Sequence, residues 1–426
     1  MSYPEELLHC IWKFRLFDQE DLRCRNGEKL QIIRSGQHNH DAGPDFESAK
    51  IRIDDTLWAG NVEIHVRSSD WERHQHHHDP AYDNVILHVV AEYDQPVYRT
   101  DGTEIPVLEI FNRIPAHIFS NYQALMAGMS WIPCGNKFNA NNPVLIKNWL
   151  SRLLIERMED RSRQIGTLLD EFRGSWDDAF YISIARNFGF KINAVPFEML
   201  ARSLPRQLFG KYKNNIFQIE ALVFGQAGFL TDKHRDDYPS KLRAEYAFLR
   251  RKHSLHSVDR YLWKFMRLRP GNFPTVRLAQ FAALMSGTPH MFSQIVNEAD
   301  LSKIEGLFRD LQLNKYWKDH CHFEESSRKK SAGLGNDSVS NLLINTVAVF
   351  LFVYGIKTGS SVHTDRGLGI LENMKPENNR IIRRFIQSGF EPESALDTQA
   401  LLQLKKYYCD EKKCLSCGIG IQLLNQ

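Results

Sequence analysis

Carboxylate and histidine side chains with the spacing of a metal site occur in one short stretch near the N-terminus. Asp45 follows Pro44 at the start of a predicted strand, and Glu63 and His65 lie in the next strand. Hydrolysis of a phosphodiester needs a divalent cation that neutralises developing charge and lowers the pKa of water. Hard cations such as Mg²⁺ bind carboxylate oxygens, usually two from the protein, and water fills the other positions. We therefore predict that Asp45 and Glu63 bind Mg²⁺ or Mn²⁺.

The hairpin between these strands determines which side chains share a face. A two-residue turn at Asp54-Asp55 places apolar residues on one face: Ala49, Ile51, Ile53, Trp58, Val62 and Ile64. The other face then carries Lys50, Asn61, Glu63 and His65. In this register Asp45 falls on the apolar face, so a bulge or twist at Pro44 is required to bring it beside Glu63.

This arrangement resembles the PD-(D/E)XK nuclease superfamily, which has the restriction-endonuclease-like fold. The matching pattern is Pro44-Asp45, an intervening strand, and Glu63-x-His65. The predicted order of helix, three strands, short polar segment and strand fits the same superfamily. The resemblance implies a metal-dependent nuclease that acts on DNA or RNA, in which Glu6 is the supporting acid on the first helix.

The sequence departs from the superfamily pattern at His65, which stands where lysine is expected. Histidine can bind a metal or act as a base, and Lys50 on the neighbouring strand shares its predicted face, so either residue can activate the attacking water. Two other functions stay open. The missing lysine favours a catalytically inactive nuclease fold that binds nucleic acid or serves as a scaffold, and the nearby histidines favour a metallohydrolase of small molecules.

Four histidines lie within the five residues from His74 to His78. Their order does not match the zinc pattern of metallo-β-lactamases, which requires Asp where His78 stands. Clustered histidines are more often exposed or ligating than part of a core. We expect an exposed loop near the acidic site that contacts metal or phosphate. His88 alternates with apolar residues in a strand and is expected to be a partly buried residue with satisfied hydrogen bonds.

Three cysteines near the C-terminus have the spacing of a metal-ligand set. Cys409-x4-Cys414-x2-Cys417 matches the first three ligands of plant-type iron–sulfur ferredoxins. A closed zinc site or an iron–sulfur cluster needs four ligands, and Cys134, at the predicted domain boundary, is the best candidate for the fourth. Some nucleases of the superfamily named above bind a structural iron–sulfur cluster through one upstream cysteine and three near the C-terminus. That resemblance favours an iron–sulfur cluster over Zn²⁺, and free thiols at a helix end are the alternative.

A second resemblance extends over most of the chain. Residues 1–120 resemble an uncharacterised bacterial domain-of-unknown-function family in three strings: Gly-Pro-Asp-Phe at 43–46, Val-Glu-Ile-His at 62–65 and Leu-His-Val-Val at 87–90. Residues 267–275, Arg-Leu-Arg-Pro-Gly-Asn-Phe-Pro-Thr, match the same family. The resemblance implies a shared architecture and brings no established activity.

The spacing of apolar residues predicts an α+β fold, with a restriction-endonuclease-like mixed-sheet domain followed by a mostly α-helical domain. A helix is expected at 4–14, and strands are expected at 29–34, 48–53, 57–66, 84–91 and 107–110. Further helices are expected from Pro143, after Ser175, and at 216–224, 241–253, 276–284, 339–354 and 378–388. The predicted parts are a domain at 1–117, a linker at 118–141, a helical domain at 142–408 and a cysteine-bearing tail at 409–426.

Charge divides the chain at the same boundary. Residues 1–117 hold 12 Lys and Arg against 21 Asp and Glu, and residues 118–426 hold 42 against 30. A basic domain favours a polyanion, so DNA or RNA is the expected partner of the helical part. The candidate contacts are Arg250, Arg251, Lys252, Arg328, Lys329 and Lys330.

The sequence predicts a cytoplasmic protein without a membrane partner. It holds no uncharged apolar stretch of about 18 residues, the length that spans a bilayer. Residues 342–354 are the most apolar segment and are expected to form a buried helix. The N-terminus lacks the basic start and apolar run of a signal peptide, and seven cysteines in a chain of this length do not indicate a secreted disulfide framework.

Overall fold

The protein is a mixed α+β structure in which a sheet near the N-terminus precedes a mostly helical region. The computed structural model describes residues 4–39, 41–128, 130–135, 143–288, 290–327 and 333–426. The strands are β1 (Leu30–Arg34), β2 (Gln37–His38), β3 (Phe46–Ile53), β4 (Thr56–Arg67), β5 (Val85–Glu92), β6 (Val107–Glu109), β7 (His320–His322) and β8 (Glu325–Ser326). The first ten helices are α1 (Glu5–Phe14), α2 (Asp70–Arg73), α3 (Ala116–Ala127), α4 (Pro143–Glu171), α5 (Trp176–Phe188), α6 (Ala194–Ser203), α7 (Gln207–Tyr212), α8 (Ile216–Gln226), α9 (Asp237–His253) and α10 (Pro274–Gly287). The others are α11 (Met291–Asn297), α12 (Leu301–Arg309), α13 (Lys315–Asp319), α14 (Asn336–Leu342), α15 (Ala348–Thr358), α16 (Ser361–Asn373), α17 (Arg380–Gln387), α18 (Ala395–Leu404) and α19 (Gly418–Leu424).

The main sheet contains both strand orientations. Its order is β1-β3-β4-β5-β6, and β2 pairs with β3 outside this path. The pairs β1–β3 and β3–β4 are antiparallel, whereas β4–β5 and β5–β6 are parallel. All five predicted strands are confirmed, each within two residues of its predicted ends, because their β-branched, alternating sequences and the turns between them are local signals.

A bulge in β3 sets the face on which Asp45 lies. Ala49 is opposite Gly60, but Phe46 is opposite Val62, so β3 advances three residues while β4 advances two. Ser48, in the extra step, has a left-handed φ of 56°. Side chains alternate between faces along a strand, and one extra residue therefore moves Asp45 to the face of Glu63. The bulge required by the sequence is present, at residues 47–48 and not at Pro44.

Helix α1 covers one face of this sheet. Its residues Leu7, Leu8, Ile11 and Trp12 are buried, and they belong to the same core as the inward side chains of β3 and β4. Burial of each such side chain is worth roughly 2 kcal/mol. The opposite face has a smaller apolar core around Trp71. The carboxylate and histidine residues of the sequence motif share the face of this smaller core.

The chain forms two compact units whose boundaries differ from the predicted ones. The sheet unit comprises Met1–Leu150, Arg384–Phe390 and Leu402–Gln426, and the helical unit comprises Ser151–Arg383 and Glu391–Leu401. The predicted linker contains α3, and the C-terminal tail belongs to the sheet unit. Leu415 packs against the sheet core, and Asn121 Nδ2 donates a hydrogen bond to the Leu424 carbonyl at 3.3 Å. The amino-acid composition of a segment indicates its charge. Long-range contacts such as these determine to which compact unit the segment belongs.

The helical unit confirms several local signals. Helix α4 begins at Pro143, and the Ser175 side chain caps α5 by accepting a hydrogen bond from the Asp178 backbone N–H. Residues Asn336–Thr358 form one long helix through a π-helical turn, longer than the predicted 339–354. Its length and composition would allow it to cross a membrane, so the expectation that no apolar stretch is this long is wrong, but 67% of its most apolar window is buried inside the protein. Such burial is also typical of a core helix.

Candidate metal centre

The structure brings Asp45 and Glu63 together on one face of the sheet. The Asp45 backbone N–H donates to Glu63 Oε2 at 3.0 Å, and the Ile64 backbone N–H donates to Asp45 Oδ2 at 3.0 Å. Glu63 is only 4% exposed. Each carboxylate is thus held by the backbone beside the other, which fixes both side chains while leaving further oxygen lone pairs available.

Two histidines converge on Glu63, and a third lies beside one of them. His65 Nε2 lies 3.6 Å and His76 Nε2 lies 3.3 Å from Glu63 Oε1. His74 Nδ1 is 3.1 Å from His65 Nε2. One ligand atom from each of these histidines lies within 4.8 Å of the others. We call Asp45, Glu63, His65, His74 and His76 the carboxylate–histidine cluster.

The segment between β4 and β5 folds back and supplies two of these histidines. Asp70 accepts a hydrogen bond from the Arg67 backbone N–H at 3.0 Å and starts the short helix α2. Gln75 then adopts a left-handed φ of 63°, which turns the chain so that His74 and His76 both face His65. The Tyr82 ring stacks on His76 with 3.8 Å between centroids. The predicted exposed loop is therefore only partly exposed, because His76 is buried and His74 is exposed.

His88 supports His65 from behind. Its Nε2 is 2.9 Å from His65 Nδ1, and its side chain is completely buried. When His65 donates from Nδ1, its Nε2 keeps a free lone pair toward Glu63, as in metal-ligating histidines that are oriented by a second residue. Within the described structure, His88 Nδ1 has no hydrogen-bond partner. The expectation that His88 is fully satisfied is therefore wrong.

Burial favours the neutral form of His65, His74 and His88. Burial, followed by the nearby His88, lowers the pKa of His65, and burial likewise lowers the pKa of His74. Burial lowers the pKa of His88 to about 3. Neutral imidazole is the form that binds metals, because the coordinating nitrogen must have a free lone pair. Burial also raises the pKa of Glu63, and its hydrogen-bonding contact with His76 opposes this rise.

The sequence model of one family matches residues 5–380, and its description is "Protein of unknown function (DUF2851)". The chain belongs to this family. No curated protein and no solved structure matches the chain. All members of the carboxylate–histidine cluster lie within the matched residues of the DUF2851 family, whereas Cys409, Cys414 and Cys417 lie after them.

Helix α1 contributes two side chains that the sequence motif did not identify. Glu5 Oε1 lies 3.9 Å from His65 Nε2, and His9 Nε2 lies 3.3 Å from Asp45 Oδ2. Burial raises the pKa of Glu5 to about 7. Burial opposes the charged form of His9, but its contact with Asp45 raises its pKa overall. Glu6, the predicted supporting acid, is exposed, because one residue along a helix turns the side chain by about 100°. The four-residue spacing of Glu5 and His9 is the signal that identifies this face.

Lys50 is not brought to the cluster. It is exposed and lies opposite Ala59, which precedes Glu63 by four residues on β4. At 3.3 Å per residue, about 13 Å of strand separates this pair from Glu63. The structure therefore gives no support to Lys50 as the replacement for the missing lysine.

The four predicted cysteine ligands lie near one another in the sheet unit. Burial raises the pKa of Cys134 to about 12, and the ionised forms of Cys414 and Cys417 would raise it further. Burial also raises the pKa of Cys409, which interacts with the other three thiols, Cys134, Cys414 and Cys417. Burial raises the pKa of Cys417, and backbone N–H groups of Gly420 and Ile419 oppose this rise. We call these four residues the cysteine group.

The predicted nucleic-acid contacts divide into two sets. Arg250, Arg251 and Lys252 occupy the last turn of α9, where basic side chains complement the helix dipole. Arg250 Nε also donates to the Leu255 carbonyl at 3.3 Å. This local role explains the basic run without a ligand. Arg328, Lys329 and Lys330 lie outside the described residues.

Proposed function

We propose that the protein is a divalent-metal-dependent hydrolase that cleaves phosphodiester bonds in DNA or RNA, with the carboxylate–histidine cluster as its catalytic centre. The observation that carries the proposal is the convergence of His65 and His76 on the buried Glu63, beside Asp45. Uncompensated buried donors and carboxylates cost free energy. A bound cation would offset that cost and explain why these groups face one another.

The topology supports the substrate class by analogy. Helix α1 is followed by the antiparallel strands β1, β3 and β4 and, after α2, by the parallel strand β5, an order similar to the one that the nuclease resemblance implies. Glu63 lies on β4 and Asp45 immediately precedes β3, near where that resemblance expects metal ligands. A similar fold does not by itself establish a function. The proposal therefore depends on the carboxylate–histidine cluster, and the topology is supporting evidence.

The ligand types indicate which cation the centre prefers. Carboxylates alone suit Mg²⁺, but imidazole nitrogens favour transition metals. With His65, His74 and His76 within ligand distance of one another, the centre should prefer Mn²⁺, Fe²⁺ or Zn²⁺ to Mg²⁺. When bound, the cation would lower the pKa of a water molecule and neutralise the phosphate. His9 would hold Asp45 in place, and the exposed His74 would give water access to the centre.

A metallohydrolase of small molecules is the second candidate. Neutral nitrogens outnumber carboxylates in the cluster, which is typical of zinc sites that keep one open position. A catalytically inactive nuclease fold is the third, because Lys50 is remote from Glu63. The second candidate would cleave small phosphodiesters but not nucleic acid. The third would bind nucleic acid and cleave neither substrate.

We also propose that the cysteine group holds a structural iron–sulfur cluster, with Zn²⁺ as the alternative. The four thiols interact electrostatically: Cys134 with Cys414 and Cys417, and Cys409 with the other three. Four thiolates suit either a closed zinc site or an iron–sulfur cluster. The spacing Cys409-x4-Cys414-x2-Cys417 favours iron–sulfur.

Cleavage assays on the full-length protein would test the leading proposal. Plasmid DNA, single-stranded DNA, RNA and small phosphodiesters would be incubated with Mg²⁺, Mn²⁺, Zn²⁺ or Fe²⁺, and with a chelator. Cleavage of nucleic acid that the chelator abolishes supports the proposal. Turnover of small phosphodiesters alone supports the second candidate, and binding of nucleic acid without cleavage under any metal supports the third. Binding of DNA or RNA should weaken steeply with salt, because basic side chains that neutralise phosphates release counterions. The excess of basic residues lies after residue 117.

A further inference from the structure

The helical unit contains a large cavity remote in sequence from the carboxylate–histidine cluster. Its volume is about 1180 Å³, sufficient for a ligand of nucleotide size. Residues from 188–197, 268–280, 320–327 and 333–341 form its walls. The string at 267–275, which resembles the domain-of-unknown-function family, supplies one wall. Nothing in the proposed phosphodiester hydrolysis uses this cavity.

Arg277 is the buried cation of the cavity. Arg277 is only 6% exposed. Its Nη2 donates to Asn272 Oδ1 at 2.7 Å and to Ser338 Oγ at 3.0 Å, and its Nη1 donates to Gln280 Oε1 at 3.0 Å. The Phe190 ring lies over the guanidinium, 4.6 Å from its centroid. Nε has no hydrogen-bond partner in the described structure, so neutral groups satisfy only part of this five-donor side chain.

Among the described residues, no carboxylate forms an ion pair with Arg277. Burial lowers the pKa of Arg277 to about 10, and no neighbouring acid opposes that change. The side chain therefore remains cationic at neutral pH. Among the described residues that line the cavity, Lys191 and Arg269 add positive charge, and Asp337 is acidic. The cavity thus has an excess of positive charge with an anchor at its buried side.

A purely structural role does not explain this arrangement. Gln or Met at position 277 could connect the same elements without placing a charge in a buried site. A buried cation without an anionic partner is unfavourable. An anion that accepts hydrogen bonds from the guanidinium offsets that cost, and phosphate matches its planar donors well. The lining also includes apolar and aromatic residues among polar ones: Phe188, Phe190, Ile192, Phe197 and Val276.

We propose that this cavity binds a phosphorylated ligand of mononucleotide size, in which Arg277 anchors the phosphate and the aromatic walls contact the base. Lys191 and Arg269, both exposed, guide the phosphate from solvent. The ligand is either a free nucleotide or the phosphorylated end of a strand, since both present the same chemistry. This binding activity does not depend on the proposed hydrolysis.

Calorimetry on the full-length protein tests the proposal with AMP, GMP, CMP, UMP, adenosine, inorganic phosphate and a 5′-phosphorylated trinucleotide. At least one mononucleotide should bind, and adenosine should bind at least about tenfold more weakly, because a charge-assisted hydrogen bond is lost. Tighter binding of the trinucleotide would identify a strand end, and tighter binding of the mononucleotide would identify a free nucleotide. Failure of every mononucleotide and of the trinucleotide to bind, or equal affinity for inorganic phosphate and nucleotides, overturns the proposal.

Variants assign the binding to the cavity. Arg277→Gln should weaken nucleotide binding by at least about tenfold. If this variant does not fold, Arg269→Ala still tests the site, because its side chain is exposed; binding should weaken about threefold, as for one exposed charge. Arg243→Ala, an exposed arginine on α9 that does not line the cavity, is the matched control. Binding that is unchanged in every folded variant at 277 and 269 rules out this cavity as the site.

Discussion

The carboxylate–histidine cluster and the cysteine group are both candidate metal sites in the sheet unit, but the chain assembles them differently. The cluster comes from residues 45–76 on neighbouring strands and one returning loop. The cysteine group joins Cys134 to three thiols at the other end of the chain, about 275 residues later, and so requires a long loop to close.

This difference determines what holds each set in place. One ligand atom from each of His65, His74 and His76 lies within 4.8 Å of the others, and backbone hydrogen bonds within the sheet hold the adjacent carboxylates of Asp45 and Glu63. The cysteine group depends on how the C-terminal tail packs, and its thiols must lose their protons when metal binds. The first site is therefore set by strand register, and the second by long-range packing.

Substitution of Glu63 should have the largest effect. Glu63→Gln keeps the shape and the hydrogen bond from Asp45 but removes the charge on which the histidines converge. Metal-dependent cleavage should fall by on the order of a hundredfold or more, since even residues behind the ligands contribute about 10–100-fold. Glu47→Gln, exposed on the same hairpin, is the matched control. Equal cleavage by the parent, Glu63→Gln and Asp45→Asn would contradict the site.

Loss of the cysteine group should chiefly reduce stability. Cys414→Ser should remove the iron or zinc and lower the free energy of unfolding by about 3 kcal/mol, because a closed long loop is released. Anaerobic purification, metal and sulfide analysis, and denaturant titration measure both effects. Cys321→Ser, a buried cysteine outside the group, is the control. Absence of both metals from the parent, with no change in stability in Cys414→Ser, would show that these thiols are not ligands.

His88 tests whether the cluster is oriented from behind. His88→Ala removes the partner of His65 Nδ1 and should weaken Mn²⁺ or Zn²⁺ binding by about 10–100-fold. His88→Gln offers an amide oxygen to the same nitrogen and should recover much of this affinity. Calorimetric titration with Mn²⁺ or Zn²⁺ compares the metal affinities of the parent and the two variants. Equal affinities in all three proteins would mean that His88 only fills space.

The smallest effect separates two neighbouring acids on α1. Glu5→Gln should weaken metal binding about two- to fivefold, the size expected for one partly exposed charge near a ligand. Glu6→Gln should leave the affinity unchanged because its side chain is exposed on another face of the helix. The same titration measures both variants. A larger effect of Glu6→Gln than of Glu5→Gln would restore the sequence-based choice of Glu6.

Much of the sheet was predictable because its signals are local. Alternating residues, the turn at Asp54-Asp55 and the run at 85–90 located the strands and paired β3 with β4 in the expected register near the turn. The same pattern pointed to Asp45 and Glu63 as the candidate metal ligands. The sequence pointed to Glu6, whereas the structure places Glu5 nearer the cluster, because the first turn of a helix offers no internal reference for its facing direction.

The sequence by itself determined the α+β order, the hairpin and the acidic pair, since side-chain alternation and turn chemistry act over a few residues. Only the tertiary structure decided the rest. The left-handed Ser48 moved Asp45 to the face of Glu63, and the turn at Gln75 brought His74 and His76 to His65. Packing of the C-terminal tail placed three cysteines in the unit of Cys134. These juxtapositions arise because core packing selects among backbone alternatives that local sequence leaves nearly equal in free energy.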